Sequence, residues 1–473
     1  MFRIALRTLT TLALTVVHAV AAERPNILFI QTDDQAAWAI GVADRQAVTP
    51  NIDKLFKGGA WLKNSFVVTP VCSPSRASLM TSRYGSELGI TDWIHPRREP
   101  KLGLDPSLPV WPKLLQKGGY KTGLVGKWHL GLLDSHHPTK FGFDEFMGHR
   151  GGGWSTANPT LEKEGGNTKF EGLTTDILAD HAIDFLERHA SEPFLLCWHT
   201  RAPHTRWLPV STEDRAPYEK LTDPVIPNPD YPKLDVKRVK NMTRDYLSSV
   251  RGVDRNVGRV LAKLDQLGLS SKTVVIFTSD HGYNMGHNGI WHKGNGHWVL
   301  TEPPPAAENI PKGQRPNMYD ASIKVPTAVR WPGVVKPGTI IENSVSNLDW
   351  FPTLLSIAGV EAPGGAILRG RDFSGLLKGE PPAEWSDDVY AEYSTKHQSR
   401  THMRMYRSTR WKLVRDFLNE GRDEFYDLQA DPAEAVNLIA SKQSQHREAI
   451  AALDAKIREK MTENGDPAAG ETP

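Results

Sequence analysis

The chain predicts an α/β fold, a large and mostly parallel sheet sandwiched by helices, followed by a smaller C-terminal antiparallel-sheet subdomain. Three observations carry this reading. Short apolar runs bounded by polar or glycine punctuation suit strands buried on both faces. Helical periodicity fills the stretches between those runs. Past about residue 370 the pattern changes to alternating runs, as antiparallel strands require. The 473 residues exceed one ordinary domain, so residues 23–370 and 371–473 are expected to form a large domain and a smaller one.

In chain order, residues 1–22 carry Arg3 and Arg7, an apolar stretch through Val20, and the small-residue end Ala19-Val20-Ala21-Ala22. This reads as a cleaved secretory signal, and it predicts an exported protein, periplasmic or secreted. A membrane anchor fits less well, because threonines and His18 interrupt an apolar core already short for a span. No other segment approaches transmembrane length. With 57 basic and 55 acidic residues, nothing suggests a nucleic-acid groove or a polybasic surface, and any preference for anions has to be local.

The four principal strand candidates are Ile27-Leu28-Phe29-Ile30, Thr122-Gly123-Leu124-Val125, Phe194-Leu195-Leu196-Cys197-Trp198 and Val274-Val275-Ile276-Phe277. Thr49-Pro50-Asn51 predicts a helix with Thr49 as N-cap and proline at the first position, stopped by Gly58-Gly59. Over residues 243–267, apolar side chains recur at spacings of three and four and predict a long amphipathic helix. The alternating C-terminal runs are Val389-Tyr390-Ala391-Glu392-Tyr393, Met403-Arg404-Met405-Tyr406, Trp411-Lys412-Leu413-Val414 and Glu424-Phe425-Tyr426-Asp427-Leu428.

The residues just past the ends of these four strands are more informative than the strands themselves. They are, in turn, Gln31-Thr32-Asp33-Asp34, Gly126-Lys127-Trp128-His129, His199 with Pro203-His204, and Thr278-Ser279-Asp280-His281-Gly282. Open α/β sheets bind ligands beyond the carboxyl ends of their strands, so carboxylates, a lysine and histidines should meet at one rim. Asp33, Asp34 and Asp280 are hard oxygen donors suited to calcium or magnesium. Cys72, one of only two cysteines, sits in Val71-Cys72-Ser73-Pro74-Ser75-Arg76, ahead of a helix-ready stretch. A disulfide with Cys197, a buried thiol and a catalytic role are all open to it on composition alone.

Taken together and in this order, the Asp-Asp pair, C-S-P-S-R, G-K-W-H and S-D-H-G resemble the type I, formylglycine-dependent sulfatases of the alkaline phosphatase superfamily, over nearly the whole mature chain. The resemblance implies that Cys72 is oxidised by a formylglycine-generating enzyme to formylglycine, the nucleophile, and that Asp33, Asp34, Asp280 and His281 bind Ca2+ together with residue 72. Many relatives have asparagine where His281 stands. It further implies that Arg76 supports residue 72, that Lys127 and His129 serve sulfate oxygens and the formylglycine hydroxyl, and that His204 and Lys293 serve the leaving oxygen. Lys324, before Val325-Pro326, is the alternative to Lys293, and its place is read as structural.

Residues 294–317 read as an inserted loop. Asn295, His297 and Trp298 within it, His95 in Trp93-Ile94-His95, and the proline-rich stretch 203–232 are candidates for the substrate wall. The expected activity is hydrolysis of sulfate esters on a sulfated carbohydrate or polysaccharide. A phosphonate or phosphate ester hydrolase of the same superfamily and a noncatalytic carbohydrate-binding protein are the alternatives.

Overall fold

The computed structural model describes residues 24–470; the segment read as a secretory signal lies outside the described residues. The strands are β1 (Asn26–Thr32), β2 (Ala60–Phe66), β3 (Lys121–Lys127), β4 (Glu145–His149), β5 (Thr160–Lys163), β6 (Gly166–Lys169), β7 (Phe194–His199), β8 (Thr273–Ser279), β9 (Ala328–Arg330) and β10 (Thr339–Ser346). They form one sheet in the order β10-β2-β9-β8-β1-β7-β3-β4-β5-β6. The central run β8-β1-β7-β3-β4 is entirely parallel. The four apolar runs read from the sequence are therefore adjacent strands of one parallel block, and their carboxyl ends share a rim.

Alternation along these strands divides the core into two layers. Ile27, Phe29, Leu195, Cys197, Val274 and Ile276 pack with Ala77, Leu79 and Met80 of the helix Cys72–Thr81 and with Trp111 and Trp350. The intervening Leu28, Ile30, Leu196, Trp198, Val275 and Phe277 pack with Leu178 and Phe185 of the helix Thr174–Arg188 and with Val253, Val257 and Val260 of the helix Val236–Gln266. Each such side chain contributes roughly 2 kcal/mol by leaving water, and the two layers fix the strand ends between them.

Two helix expectations are refined. The long helix starts at Val236 rather than near residue 243, with the Asp235 carboxylate accepting from the Arg238 amide at 3.0 Å. Its first turns bury Val239 against Val299 of the loop 294–317, a partner that helical periodicity cannot reveal. The helix Pro50–Gly58 begins after Thr49 as expected, yet the Thr49 hydroxyl makes no capping bond. It accepts instead from the Gly41 amide, while Asp254 of the long helix accepts from the amides of Asn51 and Ile52, each at 2.8 Å. A buried carboxylate from across the fold thus does the work of the local cap.

In the C-terminal region β11 (Val389–Tyr393), β12 (Met403–Arg407), β13 (Trp411–Asp416) and β14 (Glu424–Asp427) form an antiparallel meander in that order. Its strands are buried on both faces. The helix Ser444–Glu463 contributes Leu453, Ile457 and Met461 to a core that also contains Phe66, Val67 and Val71 of the large sheet's side. The polar positions of the alternating pattern are buried through ion pairs, Arg404 with Asp466 and Lys412 with Asp320. Among the described residues no helix is long and apolar enough to cross a membrane.

Asp254→Ala should lower stability by about 1–3 kcal/mol, since the buried Ile52 amide and the half-buried Asn51 amide lose their acceptor. Urea unfolding checks this, and a change below about 0.5 kcal/mol would contradict the long-range cap.

Candidate active site

Each polar side chain of the rim is placed by the end of a strand or by the helix that starts at residue 72. Asp33 and Asp34 follow β1, Lys127 ends β3, His199 ends β7, and Asp280 and His281 follow β8. Gly126 makes the arrangement possible: with φ +118°, it brings β3 against β7, and a Cβ there would lie 1.8 Å from the His199 carbonyl oxygen. Asp34 and His129 both hold left-handed backbone, at φ 67° and 59°. The Asp34 carbonyl and the Ala36 amide are held by the Tyr246 hydroxyl, both at 2.8 Å.

The predicted carboxylates and cations pair one to one. Lys127 Nζ lies 2.6 Å from Asp33 Oδ2, Lys293 Nζ lies 2.7 Å from Asp34 Oδ1, and Arg76 Nε lies 3.0 Å from Asp280 Oδ2. Cys72, the first residue of the helix Cys72–Thr81, is at the centre, with Sγ 3.0 Å from Lys293 Nζ, 3.4 Å from His281 Nε2 and 3.7 Å from Asp33 Oδ1. Sγ stands where the oxygens of a formylglycine side chain would begin. Lys324 lies elsewhere, donating to Asn64 Oδ1 at 3.0 Å beside the Phe66 ring.

The two cysteines, both free, have opposite electrostatics. Burial opposes ionisation of Cys72, but the ammonium groups of Lys127 and Lys293 outweigh it and hold the thiol well below its usual range. Cys197, inside β7 with apolar neighbours, is pushed well above that range by burial alone. An anion is therefore favoured at residue 72 and disfavoured at residue 197, and no disulfide joins them.

The donor set fits a hard divalent cation. Asp34 Oδ2 is buried without a hydrogen-bond partner. Burial and the neighbouring Asp33 carboxylate push Asp280 up to about 6, so the carboxylates crowd one another. Ligand atoms of Asp33, Cys72, Asp280 and His281 all lie within 4.8 Å of one another, as do those of Asp33, Asp34, Cys72 and His204. His281 Nδ1 faces the Gly282 carbonyl at 3.0 Å, which can only accept, so the neutral ring presents a lone pair at Nε2. Burial disfavours charge on His281, yet Asp280 and Asp34 lift its pKa to about 10; a nitrogen so flanked by carboxylates is equally placed to ligate a cation. The three ion pairs cancel in charge, and a divalent ion would give the site its positive balance for an anionic ester.

The two candidate proton carriers are set by the same logic. His129 Nε2 faces the Ile94 carbonyl at 3.3 Å, leaving Nδ1 buried and unpartnered. Burial first, and the Lys127 ammonium with it, lower its pKa to about 4, so the ring is a neutral acceptor. His204 Nδ1 faces the Thr205 carbonyl at 2.6 Å, which directs Nε2 away from the backbone.

A cavity of about 550 Å³ opens over Cys72, His129, His204 and Lys293. Of the three loop candidates Asn295 lines it, while His297 and Trp298 do not, His297 packing on Trp291 and His292 and Trp298 lying under Arg315. His95 stacks 4.8 Å from Trp93, which does line the cavity. Sequence reasoning passed over Gly151, Gly152, Gly153, His149, His292 and Gln398, all of which line it. The glycine triplet was a visible signal: a Cβ on Gly152 would lie 2.5 Å from His129 Cε1, so bare backbone is needed beside that ring. Gln398, held by the Asn295 amide at 2.8 Å, comes from the C-terminal region and had no local signal.

In folded protein carrying unconverted cysteine, iodoacetamide should label Cys72 faster than Cys197 by about tenfold or more, because only Cys72 combines thiolate character with a cavity. Peptide mass spectrometry over time checks this, and equal rates would contradict the electrostatic assignment.

The sulfatase family profile matches residues 25–360, and a profile described as N-sulphoglucosamine sulphohydrolase, C-terminal, matches residues 314–463. The chain is 26% identical over 531 residues to an N-acetylglucosamine-6-O-sulfatase of Bacteroides thetaiotaomicron, covering 95% of this chain and 89% of that protein. It is 31% identical over 445 residues to a steryl-sulfatase of Rattus norvegicus, covering 75% and 70% respectively. A crystal structure of Ps i-CgsB in complex with k-i-k-neocarrahexaose matches with a TM-score of 0.73 at 26% identity, covering 95% of each chain. A match of that extent, in a chain whose own strand ends build a cleft for an anion, makes this protein a member of the sulfatase family of sulfuric ester hydrolases.

Proposed function

We propose that this protein is an exported, calcium-dependent sulfatase that uses formylglycine at position 72 to cleave sulfate esters of a carbohydrate or polysaccharide. The observation that carries the reading is the convergence of three carboxylate–cation pairs on Cys72 at the floor of a sugar-sized cavity. Residues 23–370 would form the catalytic domain and 371–473 a subdomain that lends Gln398 to its wall. The sugar assignment draws support from the N-acetylglucosamine-6-O-sulfatase relative and the oligosaccharide-bound Ps i-CgsB structure. Trp93 offers an aromatic face, and Asn295 and Gln398 offer amides for hydroxyl groups.

Asp33, Asp34, Asp280 and His281 would hold Ca2+, with residue 72 completing the set. Bound there, the ion supplies positive charge for sulfate oxygens and acidity for a nearby hydroxyl. Formylglycine supplies, as its hydrate, one hydroxyl to attack sulfur and a second that allows sulfate to depart. Lys127 and Lys293 flank that position and bind sulfate oxygens. Arg76 holds Asp280 and, through its bond to the Lys127 carbonyl at 3.1 Å, the end of β3. His129 takes a proton at Nδ1, and His204, with Lys293, holds a proton at Nε2 for the departing sugar oxygen. Cys72 is 2% exposed, so a formylglycine-generating enzyme has to reach it before the fold closes.

Two measurements test this reading. Mass spectrometry of the peptide holding residue 72, from a host with the converting enzyme, should find the aldehyde, and Cys72→Ala should release sulfate from an aryl sulfate at least about a thousandfold more slowly while remaining folded. Full activity in that variant, or a strong preference of the parent for aryl phosphate diesters, would overturn it. Separately, a calcium chelator should lower the melting temperature and abolish turnover, with calcium restoring both; at a hundred times its dissociation constant the ion contributes about 2.7 kcal/mol. A melting temperature indifferent to chelator and calcium would remove the metal from the proposal.

A further inference from the structure

The cavity mouth is rimmed on one side by two loops, 92–99 and 396–400, which buried polar groups fasten together. Asp92, 4% exposed, accepts from the amide of Lys396 at 2.7 Å, and the Tyr393 hydroxyl reaches it at 3.3 Å. His397 Nε2 pairs with Glu99 at 2.9 Å, and Arg98 donates to the His397 carbonyl at 3.1 Å. The rings of Trp93 and His397 meet at 4.9 Å. Pro96 and Gln398, one from each loop, line the cavity itself.

Four cations stand on these two loops, Arg97 and Arg98 directly after Pro96, and Lys396 and Arg400 two residues on either side of Gln398. The Arg400 backbone is bonded to Asn309 and Asn419, whereas Arg97, Arg98 and Lys396 are the three on loop 92–99 or bonded to it. All three are exposed. Among the described residues none of them pairs with a carboxylate, whereas many other surface cations of the chain do, such as Lys63 with Glu342, Arg188 with Glu145 and Arg369 with Glu463. The two carboxylates of these loops are otherwise engaged, Glu99 by His397 and the buried Asp92 by the Lys396 and His397 amides and the Tyr393 hydroxyl. In a chain of net charge +2, three unpaired cations held beside one cavity are a local concentration of charge. Arginine's planar fork suits the oxygens of a sulfate or carboxylate, and rigid supporting loops reduce the ordering cost of binding.

We propose that Arg97, Arg98 and Lys396 form an anion subsite at the cavity mouth that receives a second anionic group of the substrate, a sulfate or a uronic-acid carboxylate on a sugar outside the cavity. The inference rests on the proposed sulfatase reading and narrows it: the substrate is a polyanionic oligosaccharide, with one sulfate ester inside the cavity and another charge at the rim. Such a contact at an exposed site is screened by salt, with a Debye length of about 8 Å at physiological ionic strength.

The test compares the parent with Arg97→Ala/Arg98→Ala and with Lys396→Glu, whose side chain makes no contact that the fold needs. Three substrates are used: an aryl sulfate, a disaccharide carrying two sulfates, and a monosulfated disaccharide containing a uronic acid. The variants should raise KM for one or both disaccharides by about tenfold more than for the aryl sulfate, and this excess should shrink at high salt; which disaccharide responds identifies the second anion. Equal changes for all three substrates would overturn the subsite. If the parent fails to hydrolyse even the aryl sulfate, the sulfatase reading fails by itself, and the subsite is then judged by binding. Calorimetry with the same two disaccharides on Cys72→Ala protein, with and without Lys396→Glu, should show about tenfold weaker affinity at low salt, and unchanged affinity would overturn it.

Discussion

Three buried carboxylate–cation pairs, Asp33 with Lys127, Asp34 with Lys293 and Asp280 with Arg76, are the constraint around which the rest of the structure is arranged. Burying six charges carries a desolvation cost that their attraction need not recover, and apolar residues of similar volume often serve stability as well. What the pairs achieve is an anion-favouring point at residue 72, built from groups on β1, β3, β8, one helix and one loop. They hold it only while the strand ends stay in register, and this explains why the adjoining parallel strands are packed so completely on both faces.

The surrounding details serve that requirement. Gly126 lets β3 close on β7, Tyr246 fixes the backbone at Asp34, and Asn347 donates to the Ser75 carbonyl at 2.9 Å, tying the first turn of the residue-72 helix to the segment after β10. The histidines next to the site are oriented by backbone carbonyls, which leaves His129 Nδ1, His204 Nε2 and His281 Nε2 directed away from the main chain. The C-terminal meander shares an apolar core and buried ion pairs with the large sheet's side, and the loop 396–400 that follows its first strand is tied to the cavity wall through Asp92, Glu99 and Asn295.

Much of the site was legible because its parts are local in sequence. A strand end followed by Asp-Asp, Lys-Trp-His or Asp-His-Gly declares itself within a few residues, and the buried runs before them declare a parallel sheet. The parts that were not legible are contacts between distant segments. Thr49 looked like a helix cap because cap signals are local, yet Asp254, 203 residues away, reached the Asn51 amide. Trp298 looked like a sugar platform because aromatic residues in loops often are, but Arg315 and its neighbours cover it.

The sequence by itself determined which elements form, where polar groups follow strands, and that residue 72 opens a helix, because periodicity and turn chemistry act over a few residues. Only the tertiary structure decided which cation faces which carboxylate, and that Gly152 and Gln398 complete the cavity. Those outcomes depend on the order and register of parallel strands joined by long crossovers, and on side chains such as Lys293 meeting Asp34 across 259 residues, a distance at which no local pattern carries information.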